Sequence, residues 1–167
     1  NTLTPTGPVV SALPSCEGTV TYTYTYTDCA LHTHDWVYTY TIERNDFTIG
    51  VADGASTVAC VADIVVPTPP VVNDNCGSAL TPTGPVISAD PVCEGTKTYT
   101  WTYTDCEGNA HDWKHTFAIE RNDFTIGVAD GSSTVACVAD IVVPTPPVVN
   151  DACGNAITPV AGTAPAA

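Results

Sequence analysis

The residues best equipped for chemistry in this chain are its cysteines: Cys16, Cys29, Cys60, Cys76, Cys93, Cys106, Cys137 and Cys153. A thiol can be a nucleophile, a metal ligand or half of a disulfide. Zinc would want C-x-x-C pairs and none exists, whereas an even, regularly spaced set in a short acidic chain reads as a disulfide framework made in an oxidising compartment. A second group is Asp105, Glu107, Asn109 and Asp112, four oxygen ligands within an eight-residue turn, with Asp123, Asp130 and Asp140 further on. Hard oxygen donors at that density suit calcium. The competing reading is an acidic turn whose Asp and Asn side chains bond their own backbone, because no full loop signature is present and the first repeat lacks the Glu and Asn. His32 and His34 form an H-x-H pair of the kind that binds transition metals, but the corresponding positions 77 residues on are Asn109 and His111, which favours a surface turn. No G-x-S-x-G or H-E-x-x-H occurs, and the thiols are assigned to disulfides, so we expect no catalysis and no enzyme.

Charge narrows the partners. Arg44, Lys97, Lys114 and Arg121 stand against 18 acidic residues, a net charge of -14. No basic patch exists to neutralise a phosphate backbone or an anionic lipid surface, and no apolar run reaches 18 residues, so neither nucleic acid nor membrane insertion is expected. Charged residues make up only 13% of the chain while threonine supplies 27 positions, so hydroxyls carry the polarity. That bias favours strands.

These residues sit in a tandem repeat. Leu3 to Ala79 aligns with Leu80 to Ala156 at an offset of 77 with no gap, 61 of the 77 pairs being identical, and all four cysteines keep the offset. Asn1 aligns with Asn155, so the chain reads as a window on a longer array. Apolar spacing of three and four is absent. Thr19 to Thr27 alternates Thr with Val20, Tyr22, Tyr24 and Tyr26; its copy sets Lys97, Tyr99, Trp101 and Tyr103 opposite a threonine face. A second alternation follows through Trp36, Tyr38, Tyr40 and Ile42, or Trp113, His115, Phe117 and Ile119. Each pair predicts a hairpin turning over Asp28 to Asp35 or Asp105 to Asp112. Shorter strands are expected at Val58 to Val66, Val71 to Asn73, Ala79 to Thr83 and Pro85 to Ser88. Many short strands with proline and glycine punctuation predict an all-β fold of tandem β-sandwich modules.

Three motifs in series carry a family resemblance: Ser56-Thr57-Val58-Ala59-Cys60-Val61-Ala62-Asp63-Ile64; Pro69-Pro70-Val71-Val72-Asn73-Asp74-Asn75-Cys76-Gly77; and Thr98-Tyr99-Thr100-Trp101-Thr102-Tyr103-Thr104-Asp105-Cys106-Glu107-Gly108-Asn109. The chain resembles the HYR-like (hyalin-repeat-like) modules of giant surface adhesins of Bacteroidota, of the gliding-motility SprB type. The resemblance implies immunoglobulin-like modules arranged linearly, export to the cell surface, and an adhesive or filament-forming role without catalysis. Val61 departs from the proline common after the first cysteine.

Cys93 and Cys106 flank an eleven-residue strand and so lie roughly 35 to 40 Å apart. Neither they nor Cys16 and Cys29 can bond each other, since a disulfide needs Cα atoms within about 7 Å. A Cys60 to Cys76 bond is open sterically but strands the other cysteines. Treating Val61 to Asn75 as one extended edge and Cys76 to Cys93 as a hairpin about Gly84-Pro85 leaves Cys60 with Cys106 and Cys76 with Cys93. The first pair also agrees with the hyalin-repeat habit of tying the first strand to the turn before the last. On that scheme residues 1–56 are the C-terminal part of one module plus linker, 57–133 a complete module plus linker, and 134–167 the N-terminal part of the next. Cys16, Cys29, Cys137 and Cys153 then bond to neighbouring modules.

Two function classes follow. In the first the chain is a structural segment of an extracellular fibre or adhesin stalk, whose partners are neighbouring copies of the same repeat, head to tail. In the second each module binds a surface polysaccharide or a protein through its divergent turns, Ala30 to Thr33 and Glu107 to Ala110. The threonine faces, Thr21, Thr23, Thr25, Thr98, Thr100 and Thr102, are either plain strand surface or attachment points for O-linked glycan. No Asn-x-Ser/Thr sequon exists.

Overall fold

A computed structural model describes residues 2–160. Its strands are β1 (Thr6–Val10), β2 (Gly18–Thr27), β3 (Thr33–Ile42), β4 (Gly54–Val58), β5 (Val72–Asn73), β6 (Ala79–Leu80), β7 (Thr83–Ile87), β8 (Gly95–Thr104), β9 (Ala110–Ile119), β10 (Val149–Asn150) and β11 (Ala156–Ile157). The helical elements among the described residues are two 3-10 turns, Val61–Asp63 and Val138–Asp140. The fold is all-β and immunoglobulin-like. One sheet has the order β1-β2-β3, another β4-β9-β8-β7, and β5-β6 and β10-β11 are two-stranded pairs.

Both long hairpins form where the Thr/aromatic alternation predicts them. In β2-β3 the register runs without a break from Gly18↔Ile42 to Thr27↔Thr33. One device shapes four turns. Asp28, Asp74, Asp105 and Asp151 each accept, through Oδ1, the backbone N–H groups two and four residues on, at 2.7–3.0 Å. In each the residue three positions on takes positive φ: Gly77 at 82°, Gly108 at 93° and Gly154 at 83°. The first turn has Leu31 there instead, at 68°. A side chain resists that conformation where glycine does not.

The shorter elements differ from expectation. Val58 to Val66 is not one strand: β4 ends at Val58 and the chain turns, because the Asp63 carboxylate accepts the Cys60 N–H at 3.1 Å and closes a 3-10 turn. No hairpin turns about Gly84-Pro85 either. Gly84 lies inside β7, beside β8, so close that a Cβ would sit 2.8 Å from the Thr100 carbonyl oxygen.

The residues group into two compact units. The first holds the described residues up to Ala52 with Thr68–Val86 and Thr100–Lys114. Here residues of the first repeat cover the turn half of the second hairpin. Phe47, 1% exposed, packs edge-on against His111 at 4.8 Å, and the Trp113 indole donates to the Ala52 carbonyl at 2.9 Å. The Tyr103 hydroxyl donates to the Pro70 carbonyl, and burial pushes its phenol pKa up. The Asn75 amide donates to the carbonyls of Asn45 and Asp46.

The second unit holds Asp53–Pro67, Ile87–Tyr99 and the described residues from His115 to Val160. Here β4 runs parallel to β9, Gly54 opposite His115 through Val58 opposite Ile119. Ser56 hydrogen-bonds His115 at 2.9 Å, and Tyr99 meets Phe117 edge-on at 6.0 Å. Where the first repeat has Leu13 and Val20, the second has Asp90 and Lys97 in an ion pair.

Covering changes the fate of matched residues. Trp113, Phe117 and Ile119 are 6%, 6% and 1% exposed, while their counterparts Trp36 and Tyr40 are 51% and 55% exposed and Ile42 is half-buried. The covering segment shows the mirror effect: Phe124, matching buried Phe47, is 43% exposed, and Gly131 to Val135, matching β4, forms no strand.

Candidate functional site

The disulfides are the site. Cys16 bonds Cys106 and Cys60 bonds Cys153, each with Cα atoms 5.7 Å apart, while Cys29, Cys76, Cys93 and Cys137 are free and exposed. This corrects the expected Cys60–Cys106 and Cys76–Cys93 pairs. Cys16 and Cys153, assigned to neighbouring modules beyond the chain, are bonded within it. The expected pairing assumed that each module closes with its own residues; the chain instead closes each module with the repeat before it. The exclusion of Cys16–Cys29 and Cys93–Cys106 agrees with the structure.

The bonds follow one rule. Their sequence separations, 90 and 93, both exceed the repeat of 77, so each joins one repeat to the next. The repeat has four cysteine positions in order: Cys16/Cys93, Cys29/Cys106, Cys60/Cys137 and Cys76/Cys153. The first position of one copy bonds the second of the following copy, and the third bonds the fourth of the following copy. The sequence reading placed all eight cysteines in the repeat but paired the third position with the second, and the fourth with the first, of the following copy.

Local structure fixes each thiol. Cys106 and Cys29 sit one residue after the turn aspartates Asp105 and Asp28; Cys153 and Cys76 sit two after Asp151 and Asp74. Cys60 and Cys137 precede matched 3-10 turns and share a backbone conformation, φ -134° and -132°. Arg44 donates from its backbone N–H to Glu17, beside Cys16, and from its guanidinium to Asp74, each at 2.8 Å. Arg121 repeats this with Glu94 at 3.1 Å and Asp151, and its Nε–H adds the Cys93 carbonyl at 3.2 Å. Backbone hydrogen bonds hold the carboxyls of Asp28 and Asp74 below the usual carboxylate range, and the Asn155 side-chain amide, followed by its backbone N–H, does the same for Asp151. Asp105 is also held low, where bonds from Asn109, Glu107 and Gly108 outweigh the upward effect of its burial. Glu107 goes up, through burial and through Glu17 next to it across the Cys16–Cys106 bond.

The other sequence-predicted sites come out differently. Asp105 spends its oxygens on Glu107 and Asn109 of its own loop, and Asp112 accepts the Thr102 hydroxyl at 2.7 Å. Among the described residues no group of three or more His, Cys, Asp or Glu is placed to hold a metal ion. The same turn recurs at Asp74 and Asp151 without an acidic cluster, so its carboxylate builds the loop. His32 pairs with Asp28 at 2.9 Å, apart from any metal-binding role with His34. The six threonines considered for glycan, Thr21, Thr23, Thr25, Thr98, Thr100 and Thr102, are all half-buried. Thr25 and Thr102 donate to Asp35 and Asp112, and Thr98 meets Thr116 at 3.1 Å. Among the described residues no helix is long and apolar enough to cross a membrane.

No curated protein matches the chain. A family match covers residues 1–42, 48–119 and 125–167, with the middle stretch spanning β4 to β9. With that match over nearly the whole chain, and a repeat that carries four cysteines, this protein belongs to the HYR-like domains with 4 cysteines.

Proposed function

We propose that the chain is a non-catalytic segment of an extracellular fibre or adhesin stalk, built like the repeat arrays of Bacteroidota surface adhesins of the gliding-motility type. Its disulfides and its membership of the HYR-like family point outside the cell. The observation that carries the structural role is that both disulfides bridge successive repeats. Each bond staples a compact unit that two successive repeats build together, so adjacent repeats are interlocked and share load through a covalent link, which suits a stalk.

The alternative is a polysaccharide- or protein-binding module that uses its divergent turns. Against it, the Glu107 to Ala110 turn directly follows Cys106, whose bond to Cys16 and the neighbouring Glu17 occupy that loop. Electron microscopy of the native material separates the two: a filament with an axial period, roughly 40 to 50 Å per repeat from strand lengths, supports the stalk. Isolated particles without periodicity overturn it and put the binding module in front.

A further inference from the structure

The four free thiols and the open aromatic face of the first hairpin belong to one unfilled junction. Extending the observed rule by one repeat in each direction gives every free cysteine a partner. Cys29 and Cys76 are a second and a fourth position, and each needs a cysteine from a preceding copy. Cys93 and Cys137 are a first and a third, and each needs one from a following copy. Two donors and two acceptors remain, of matching kinds.

The surfaces agree. Tyr22, Tyr24, Trp36, Tyr38 and Tyr40 line an open groove on β2 and β3. The matching face of β8 and β9 is covered by residues of the preceding repeat, through Phe47, Ala52, β4 and Pro70. The chain holds a second copy of that covering segment, and its leading part is uncommitted: Phe124, Ile126 and Val128 are exposed, and Gly131 to Val135 lacks a strand partner. From Glu43 to Asp74 it differs from the first copy only in Ser132 for Ala55. The thiols are held like their bonded counterparts. Cys137 has the backbone of Cys60, Cys76 the aspartate turn of Cys153, and Cys29 follows its turn aspartate as Cys106 does.

We propose that the trailing segment of a second copy of this chain, Phe124 to Cys153, docks on the Tyr22–Trp36–Tyr40 face and that the junction is locked by Cys29 to Cys93 and Cys76 to Cys137 of that copy. Gly131 to Val135 of the second copy adds as a parallel strand along Tyr38 to Ile42. The Trp36 indole donates to the Ala129 carbonyl of the second copy, and Phe124 of that copy packs on His34. Each lock forms by thiolate attack on a small disulfide of the glutathione type. The two protein thiols give up two electrons and two protons, one S–S bond forms between them, and the oxidant's S–S bond breaks to leave two thiols. The contact joins different surfaces, so it propagates head to tail.

This inference rests on the stalk reading but is tested separately. Two full-length variants divide the junction: C93S with C137S keeps only the acceptor thiols, and C29S with C76S keeps only the donors. All four substituted thiols are free, so the bonded framework is untouched. With oxidised glutathione each variant alone should stay at the mass of one chain. Their mixture should give a product of twice that mass, carrying Cys29–Cys93 and Cys76–Cys137 peptides across isotope-labelled and unlabelled chains. The unsubstituted chain should give a ladder. Covalent dimers of either variant alone, a mixture that stays monomeric, or a Cys29–Cys76 bond overturns the proposal. Native filaments together with any of those results would overturn this junction and leave the stalk reading standing; paired variants without native filaments would do the reverse.

Discussion

Removing one inter-repeat disulfide should cost this chain more stability than almost any other change that leaves its packing intact. The Cys16–Cys106 bond closes a loop with a sequence separation of 90, and the Cys60–Cys153 bond one of 93. The loop-closure expression gives about 4.6 kcal/mol at 25 °C for either loop alone. The loops interleave, since Cys60 lies inside the first and Cys106 inside the second. Once one is closed, the effective length of the other falls to roughly 70 residues, and because the cost scales with the logarithm of length the second bond still contributes about 4.4 kcal/mol. Measured bonds tend to deliver less, so about 3 to 4.5 kcal/mol per bond is the expected range. The assay is urea unfolding followed by tryptophan fluorescence, with Trp101 and Trp113 buried in the second hairpin as reporters. Paired variants, C16S with C106S and C60S with C153S, avoid leaving a stray thiol. The control, C29S with C76S, removes exposed unbonded thiols and should stay within about 0.5 kcal/mol of the parent in the monomer. The reasoning fails if the control loses as much as the bonded pairs, or if either bonded pair loses less than about 1 kcal/mol.

Leu31 occupies a position that glycine fills in the three matching turns, so Leu31→Gly should stabilise the chain by roughly 1 kcal/mol, read as a raised Tm, and Gly108→Leu should do the opposite. The pH profile should have two opposed parts. Asp28, Asp74, Asp105 and Asp151 are held below their ordinary value of 3.8 when folded, so their contribution is full above that pH and is lost as pH falls through the lower folded values. Glu107 is raised above 4.5, so its contribution is present below pH 4.5 and is lost as pH rises through the raised folded value. Glu107→Gln should remove that second slope in Tm measured against pH, and an unchanged slope would mean that Glu107 is not the group that titrates there. Trp113→Ala should cost about 3 to 5 kcal/mol as a buried aromatic truncation, while Trp36→Ala, half exposed in the single chain, should cost the monomer well under half as much. Equal losses in urea melts would contradict the difference in covering.

The hairpins were legible because their signal is local. Alternation of period two through Tyr99, Trp101 and Tyr103 needs no knowledge of what packs above it, and those three are buried as that pattern requires. The turn aspartates were legible as turn formers, though their acidity also invited a calcium reading that the loop's own N–H groups answer. What the sequence hid was non-local. Val58 to Val66 reads as a strand by its apolar run, yet Asp63 turns the chain by capping Cys60. The cysteine pairing failed for a related reason. Spacing along the chain shows which thiols are too far apart, but many pairings survive that test, and only the three-dimensional overlap of adjacent repeats selects among them. The repeat offset of 77 does not select among them either, because the expected Cys60–Cys106 and Cys76–Cys93 pairs recur with it just as the observed bonds do.

The distribution of differences between the copies fits a chain whose modules are completed by their predecessors. Thirteen of the sixteen differing pairs fall between Leu3 and Arg44 and their counterparts, in the receiving hairpin and its edge strand, and three fall in the covering segment, at Ala55/Ser132, Asn75/Ala152 and Ser78/Asn155. A covering segment that barely changes can be received by any hairpin that keeps a compatible face. Three substitutions on the aromatic face keep a ring in place, Tyr24 becoming Trp101, Tyr38 His115 and Tyr40 Phe117, while at its edge Val20 becomes Lys97, paired with Asp90. One contact inside the covering segment and one across to the hairpin differ between the two copies. Asn75 clasps the carbonyls of Asn45 and Asp46, and Ala152 in its place can donate nothing from its side chain. Ser56 bonds His115, whereas Ser133 on the first hairpin would meet Tyr38. The second covering segment therefore lacks a side-chain clasp that braces the first one internally, worth on the order of 1 kcal/mol for each lost hydrogen bond. Disulfide locking matters most for such a less braced segment, because a covalent link holds it in place whether or not its own clasp is complete.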